Sequence, residues 1–325
     1  MEFDVIITNP PYHLPAAGNS NQAHVKPLYH QFVEKAMKLR PRYLSMIIPS
    51  RWFSSGWGLD DFRAHMITDR RLVELHDHVE ASDCFPDVEI KGGICYFLWD
   101  RQADRDCHVI SHKGKEIISD VVRPLKEEGC DILIRDNDAI PILRKVRDRH
   151  EITFDTLVST KKPFGFSTNY DGAHTDMQPG DIKLYAKKKT EYVRLSEIKR
   201  NVDAINKHKV IAPKAVGSGN SDSDVIKPLY CEPGAVCTET YLLVGPFDTK
   251  ETAENVIAYF ETRFFHFLVS LQKITQNCTK KVYRFVPVQD FSIRWTDDML
   301  YRKYGLSSEE IRHIESTIWP GRNYT

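Results

Sequence analysis

The chain opens on a short apolar run, Phe3-Asp4-Val5-Ile6-Ile7-Thr8, rich in β-branched side chains and followed by prolines at positions 10 and 11. This pattern predicts a buried strand that ends in a rigid loop, because proline cannot donate to a ladder and fixes φ. Leu28, Phe32, Ala36 and Leu39 then recur at helical spacing, which predicts an amphipathic helix over 28–40 that Pro41 ends. Tyr43 to Ile48 reads as a strand stopped by Pro49, Asp60 to Thr68 as a helix, Leu72 to Val79 as a third strand, and Ile94 to Trp99 as a continuous apolar strand. Strands alternating with helices at this spacing imply an α/β fold with right-handed crossovers and a mostly parallel sheet over residues 1–112. Residues 115–150 read as a mixed connector with a helix from Ala139 to Arg149.

From about residue 155 the pattern changes to basic runs (Lys161-Lys162, Lys187-Lys188-Lys189), glycine loops and scattered strands. Pro213-Lys214-Ala215-Val216-Gly217-Ser218-Gly219-Asn220 reads as a flexible polar loop able to approach DNA closely, and Cys237 to Val244 as a strand. Thr249 to Lys273 predicts one long helix, opened by Asp248 with Glu251 three residues later in a capping-box-like start. Phe260, Phe264, Phe267, Leu268 and Leu271 stripe its core face. A length of 325 residues suits two domains, divided here at 1–150 and 151–325.

Composition narrows the class. No run of 18 apolar residues exists, and Glu2 and Asp4 stand where a signal peptide has a basic start. The seven cysteines, at 84, 95, 107, 130, 231, 237 and 278, form no Cys-x-x-Cys. Free thiols in a reducing cytoplasm are therefore expected, rather than disulfides or zinc. Net charge is zero, yet residues 180–215 carry ten Lys/Arg against four Asp/Glu, a local balance of +6. This stretch fits either a solvated face or a nucleic-acid contact, with Lys187, Lys188, Lys189, Lys207, Lys209, Lys214 and Ser218 as the candidate DNA-binding residues. His76 and His78 share a strand face without a cysteine or carboxylate at metal spacing. Asp87 and Glu89-Ile90-Lys91 hold the pieces of a nuclease metal site, but two residues apart on one strand they are wrongly spaced for it.

The candidate chemistry lies at Asn9-Pro10-Pro11-Tyr12, directly after the first strand. α/β proteins place ligands at the carboxyl ends of their strands. The Asn9 side chain offers an acceptor, and the Pro10 carbonyl, held by fixed φ angles, offers a second. Two acceptors aimed at one point suit an exocyclic amino group, and Tyr12 supplies a flat face for a base. This loop resembles the Asp/Asn-Pro-Pro-Tyr/Phe motif of amino-group DNA methyltransferases. Leu28-Tyr29-His30-Gln31-Phe32-Val33-Glu34-Lys35 resembles the motif that follows it in the γ-type N6-adenine enzymes. Cys84-Phe85-Pro86 with Ile90 to Trp99 resembles their later motif, in which an aromatic residue stacks on the flipped base. Glu239-Thr240-Tyr241, the following helix, Phe285-Val286-Pro287-Val288-Gln289-Asp290-Phe291, Trp295-Thr296-Asp297 and Glu309-Glu310-Ile311 resemble the ends of Eco57I-type restriction-modification methylases.

The resemblance implies the C-terminal half of a Rossmann-like class I methyltransferase sheet, followed by an α+β target recognition domain. It implies methyl transfer from S-adenosylmethionine to the N6 of an adenine flipped out of double-stranded DNA. Asn9, Pro10, Pro11, Tyr12 and Phe85 would then act on the base, and Leu28 and Phe32 would line the cofactor's adenine. The Gly-x-Gly triplets, Gly56-Trp57-Gly58 and Gly217-Ser218-Gly219, lack a strand-turn-helix context. The main cofactor loop is therefore expected to come from elsewhere, either an N-terminal portion of the same enzyme or a separate subunit. A DNA-binding specificity module without activity of its own, or part of a fused endonuclease-methylase, is the alternative.

Overall fold

The computed structural model describes residues 3–13, 26–54, 58–86, 88, 90, 92–187, 189–216, 225–273 and 277–318. The expected Asp87, Glu89, Lys91, Lys188 and Ser218 lie outside these. The chain divides into two compact units, Met1–Asn137 and Asp138–Thr325. The division falls ahead of residue 150 because the helix α3, Ala139–Arg147, packs within the second unit, where Lys145 pairs with Glu310 at 2.6 Å.

The first unit is a sheet with helices against one face. Its elements are β1 Val5–Thr8, α1 Tyr29–Lys38, β2 Tyr43–Pro49, α2 Asp60–Thr68, β3 Leu72–His78, β4 Ile94–Asp100, β5 Cys107–Lys113 and β6 Glu116–Arg123. Six strands lie in the order β1-β2-β4-β3-β5-β6. The sheet is mixed: β1 with β2 and β3 with β5 are parallel, while β4 runs against both its neighbours and β6 against β5. The expectation of a mostly parallel sheet was thus too simple. Among the described residues between β3 and β4 there is one 3-10 turn, Ala81–Asp83, and no α-helix, and a connection without a crossover helix can reverse direction. The segment expected as connector also supplies β6.

Strand alternation sends Leu44, Met46, Ile48, Leu75, Cys95, Phe97 and Trp99 into one core. Helix α1 adds Tyr29, Val33 and Ala36, and α2 adds Phe62, Met66 and Ile67. Of the expected stripe Leu28-Phe32-Ala36-Leu39 only Ala36 is buried, and Tyr29 and Val33 take the other core places. Phe32 is 39% and Leu39 52% exposed.

The second unit holds two three-stranded sheets, β10-β9-β12 and β11-β7-β8, with α4 to α7. Their ranges are β7 Asp181–Ala186, β8 Lys189–Arg194, β9 His208–Pro213, β10 Leu229–Cys231, β11 Ala235–Cys237 and β12 Tyr241–Phe247. The single strand expected over 237–244 is thus two strands in different sheets. The expected long helix is also two, α4 Lys250–Phe260 and α5 Arg263–Ser270. Thr262 Oγ1 caps the second by accepting from the Phe265 amide at 3.2 Å, and the first is capped by Thr249 rather than Asp248. The break lets Tyr259, Phe260 and Phe265 all meet Phe154, with ring centroids 5.3–6.1 Å apart. Helices α6 Asp297–Tyr304 and α7 Ser308–Thr317 follow. No helix among the described residues is long and apolar enough to cross a membrane.

Burial holds several imidazoles neutral. It lowers His78 and His112 from the usual range and pushes His266 down to about 4. For such a group the unfolded chain binds the proton first, so stability falls as pH drops from the ordinary imidazole value toward the folded one. Acidification from about pH 6.5 to pH 4 is expected to cost the second unit on the order of 3 kcal/mol through His266 alone. Urea midpoints across this range measure it, and His266→Gln should flatten the decline.

Candidate active site

The carboxyl ends of β1, β2 and β3 and the amino end of β4 lie along one rim of the first sheet. β1 pairs with β2 from Val5↔Tyr43 to Thr8↔Met46, so Asn9 follows the last pair directly. Asn9 is exposed, Pro10 buried, Pro11 exposed and Tyr12 half-buried. The loop is fixed by Tyr12. Its ring packs on the core and meets Tyr29 edge-on, centroids 6.5 Å apart. Its carbonyl accepts from the Leu28 amide at 2.9 Å, and His13 bridges to Pro27. The Tyr12 hydroxyl is buried without a hydrogen-bond partner, and desolvation, with the nearby Cys95 and Cys84 thiols, pushes its pKa up to about 12. It stays protonated, a donor with nothing to bind. A buried polar group left unpaired costs free energy, which is why such atoms cluster where ligands enter.

Behind Tyr12 stands an aromatic nest that sequence reasoning missed. Tyr29 meets His30 and Phe62, and Trp52 meets Phe53 and Phe62, with centroids 4.8–6.2 Å apart and every pair edge-on. The Tyr29 hydroxyl and His30 Nδ1 are likewise buried and unpartnered. Leu28 is half-buried beside them at the start of α1. Tyr29, Trp52, Phe53 and Phe62 are all buried in the core of the first unit, so the cluster is a packed support behind Tyr12. The legible signal was the dense aromatic spacing Tyr29, Trp52, Phe53, Phe62; the convergence was not legible.

Phe85 is half-buried in the loop between β3 and β4, and its amide donates to the Ala81 carbonyl at 2.8 Å. Its neighbour Cys84 is among the groups that raise Tyr12, which brings this loop to the same rim as the Pro-Pro loop. No ring contact joins Tyr12 and Phe85 among the described residues. The loop closes at Gly92 and Gly93, both at positive φ, and the Ser50 amide donates to the Gly93 carbonyl at 3.0 Å. Below it lies the buried carboxylate of Asp77. Ser50 Oγ donates to Asp77 Oδ1 at 3.0 Å, and the Arg135 guanidinium bonds both carboxylate oxygens, one of them at 2.6 Å. This links β2, β3 and the segment after β6.

The histidines acquire a partner that spacing could not reveal. His112 of β5 reaches His76, Nε2 to Nδ1 at 2.9 Å, and stacks on His78 with centroids 4.3 Å apart.

The basic stretch of the second unit is less free than its composition implies. Lys209 is fully buried, and its ammonium donates to the carbonyls of Ile205, Lys207 and Glu232 at 2.9, 2.6 and 3.1 Å. Its place among the DNA-binding candidates is therefore corrected. It is the second residue of β9, where residues 209–212 are all buried, and it saturates loop carbonyls there. Lys189 pairs with Glu191 and Lys207 with Asp248, each at 2.6 Å, and Lys214 lies 3.9 Å from Glu239. Lys187 is exposed.

Sequence comparison bears on this geometry. Residues 1–85, a span holding both the Pro-Pro loop and Phe85, match the family of Eco57I restriction-modification methylases. A more particular relative is an uncharacterized adenine-specific methylase of Mycoplasma pneumoniae (strain ATCC 29342 / M129 / Subtype 1), 38% identical over 120 residues. The match takes in 37% of this chain and 26% of that protein, so the chain spans about a quarter of its curated relative. Among solved structures, the type IIG restriction endonuclease BpuSI aligns over 98% of this chain and 52% of its own, at 11% identity and a TM-score of 0.39. The type IIL restriction-modification enzyme MmeI, in complex with DNA, aligns over 86% and 45%, at 8% identity and a TM-score of 0.44.

Gly93→Ala tests the tie between the loop and the rim. At φ +81 a Cβ would fall on the carbonyl oxygens of His78 and Val79 and 2.7 Å from Arg135 Nη2. The strain and the clash should lower stability by about 2 kcal/mol or more, read from the urea midpoint.

Proposed function

We propose that this chain is the catalytic-loop and target-recognition portion of an adenine-specific DNA methyltransferase acting on N6. The observation that carries the reading is the loop Asn9 to Tyr12, pinned by Tyr12 at a strand's carboxyl end, inside the segment that matches the methylase family. An N6 amine inside a duplex is out of reach, so the adenine is flipped out. The Asn9 side-chain oxygen and the Pro10 carbonyl accept the two N6 hydrogens and aim its lone pair outward. Tyr12 and Phe85 hold the ring between them, and the unpaired Tyr12 hydroxyl is available to a polar edge of the ligand. S-adenosylmethionine supplies the methyl group when bound. Leu28 and Phe32, beside the unpaired Tyr29 hydroxyl and His30 Nδ1, would hold its adenine. This chain contributes positioning and fixed dipoles rather than a covalent intermediate.

Asn9→Ala tests the assignment in the assembled enzyme. It removes an acceptor for N6 but no phosphate contact. Methylation is expected to fall by roughly 10²-fold or more, as for loss of one positioned polar group, while duplex affinity stays unchanged. Near-normal methyl transfer by this variant would sink the role given to the loop.

DNA contact by the second unit rests on Lys187, Lys189, Lys207 and Lys214 with their neighbours. Each phosphate they neutralise adds about −0.9 to the slope of log affinity against log salt. Lys187→Ala should flatten that slope without changing the preferred sequence, because phosphate contacts position and base contacts specify. Lys209→Met should leave the slope unchanged and instead cost about 1–3 kcal/mol of stability, since three carbonyls lose their donor. Filter binding across salt concentrations, with urea titration, separates the two.

A further inference from the structure

We propose that Arg51 grips a backbone phosphate beside the flipped adenine and so holds the extrahelical nucleotide against the rim. The identity of the nucleotide rests on the methyltransferase reading above; the presented cation rests on the fold. Arg51 lies in the 3-10 turn Ser50–Phe53 that follows β2, at the carboxyl rim of the sheet. Its two chain neighbours are both enclosed, Ser50 at 2% and Trp52 at 0% exposure. The Ser50 hydroxyl donates to Asp77, its amide donates to the Gly93 carbonyl, and Trp52 packs edge-on against Phe53 and Phe62. The backbone under Arg51 is therefore fixed, while its side chain is exposed. The stem lies across Gly92, in the loop that carries Phe85. A Cβ at Gly92 would come 3.2 Å from Arg51 Cγ, tighter than ordinary contact, so the glycine makes room for the arginine. The Arg51 charge also reaches the buried hydroxyl of Tyr29, which stands behind Tyr12. Arg51 thus adjoins both the Phe85 loop and the support of the Pro-Pro loop.

Arg51 bonds no carboxylate among the described residues. Arg42, Arg63, Arg70, Arg71 and Arg135 each do. The described acids at the end of β3 and in the loop after it are engaged elsewhere. Asp77 is held by Arg135 and Ser50, Asp83 accepts from the Gly114 amide at 2.9 Å, and Glu80 acts on Arg135. An arginine on a fixed backbone, with no internal anion to hold, is suited to an external one. Its planar fork matches two phosphate oxygens. Flipping turns a nucleotide about its backbone, so the flanking phosphates follow the base toward the rim. A cation fixed there meets the phosphate only when the base is out, and so favours the extrahelical state over the stacked one. The ligand is a phosphate rather than the cofactor's carboxylate because the stem rests on the loop of the base-stacking Phe85, whereas Leu28 and Phe32, the candidate cofactor residues, belong to α1.

The test uses the assembled enzyme and duplexes in which each phosphate flanking the target adenine is replaced, one at a time, by an uncharged methylphosphonate. Where flipping itself is read, 2-aminopurine fluorescence replaces the target adenine. Arg51→Ala is expected to weaken duplex binding by about tenfold or more and to lower the flipping signal at saturating DNA. The slope of log affinity against log salt should flatten by about 0.9, with S-adenosylmethionine affinity unchanged by calorimetry. Neutralising the contacted phosphate should cost the unaltered enzyme about as much, and the Arg51→Ala enzyme little, because the pair is already broken. Arg51→Lys should keep its sensitivity to that phosphate while losing part of the affinity, since the charge remains and the fork does not. The inference is overturned if every neutralised phosphate costs both enzymes equally. It is also overturned if Arg51→Ala lowers S-adenosylmethionine affinity and leaves DNA affinity intact, which would assign the arginine to the cofactor's carboxylate. Coupling between Arg51 and one phosphate, together with unimpaired methylation by Asn9→Ala, would leave the phosphate contact standing and remove the role given to the Pro-Pro loop.

Discussion

Asp77 is 2% exposed, yet it carries a carboxylate at the rim where the Pro-Pro loop and the Phe85 loop both end. Removing a charge from water costs several kcal/mol unless the geometry of its partners compensates. Ser50 and Arg135 provide that compensation, one from the end of β2 and the other from the segment beyond β6. Arg135 also lies over the Phe53 ring, 5.5 Å from its centroid, while the Leu133 amide donates to the Phe53 carbonyl at 2.7 Å. The strap after β6 is thereby fastened to the turn that follows β2. Gly93 must be glycine because the space a Cβ would occupy already belongs to this assembly. The position of the Phe85 loop thus depends on one buried ion pair some residues away from any reacting group.

The Pro-Pro loop is fixed by different means. Two prolines restrict its backbone, and Tyr12 anchors it by inserting into an aromatic nest built from α1, α2 and the turn after β2. The nest is rigid in its faces and unsatisfied at its polar tips, Tyr12, Tyr29 and His30.

In the second unit, charge is used first for structure. Lys183 bonds Glu232 at 2.7 Å, Lys189 bonds Glu191, Lys207 bonds Asp248, and Lys209 is enclosed by carbonyls. A local excess of basic residues therefore overstates the field available to a polyanion. Exposed ion pairs are weak, about 0–1 kcal/mol, so the exposed lysines can still exchange a carboxylate for a phosphate. Lys209 cannot, because leaving its carbonyls would open a core.

Local sequence signals account for β1, β2, α2, β3 and β4 and for the chemistry of the Pro-Pro loop, but not for β5 and β6. Proline, β-branched runs and helical spacing act locally, and β1, β2, α2 and β4 lie where these signals put them. Asn9-Pro10-Pro11-Tyr12 was legible because its chemistry is contiguous. Only the tertiary structure decided what depends on pairing between distant strands. Direction reversed at β4 because a loop, unlike a crossover helix, lets the chain turn back. His112 met His76 across 36 positions, and Arg135 met Asp77 across 58. The expected long helix broke at Thr262 because its hydroxyl cap and an aromatic core stabilise two short helices over one. Lys209 is buried because β9 is the central strand of its sheet with residues 209–212 all enclosed, and the neighbouring carbonyls accept its ammonium. Local signals fix dihedrals and faces; which faces meet is settled by loop closure and burial, which no single stretch of sequence encodes.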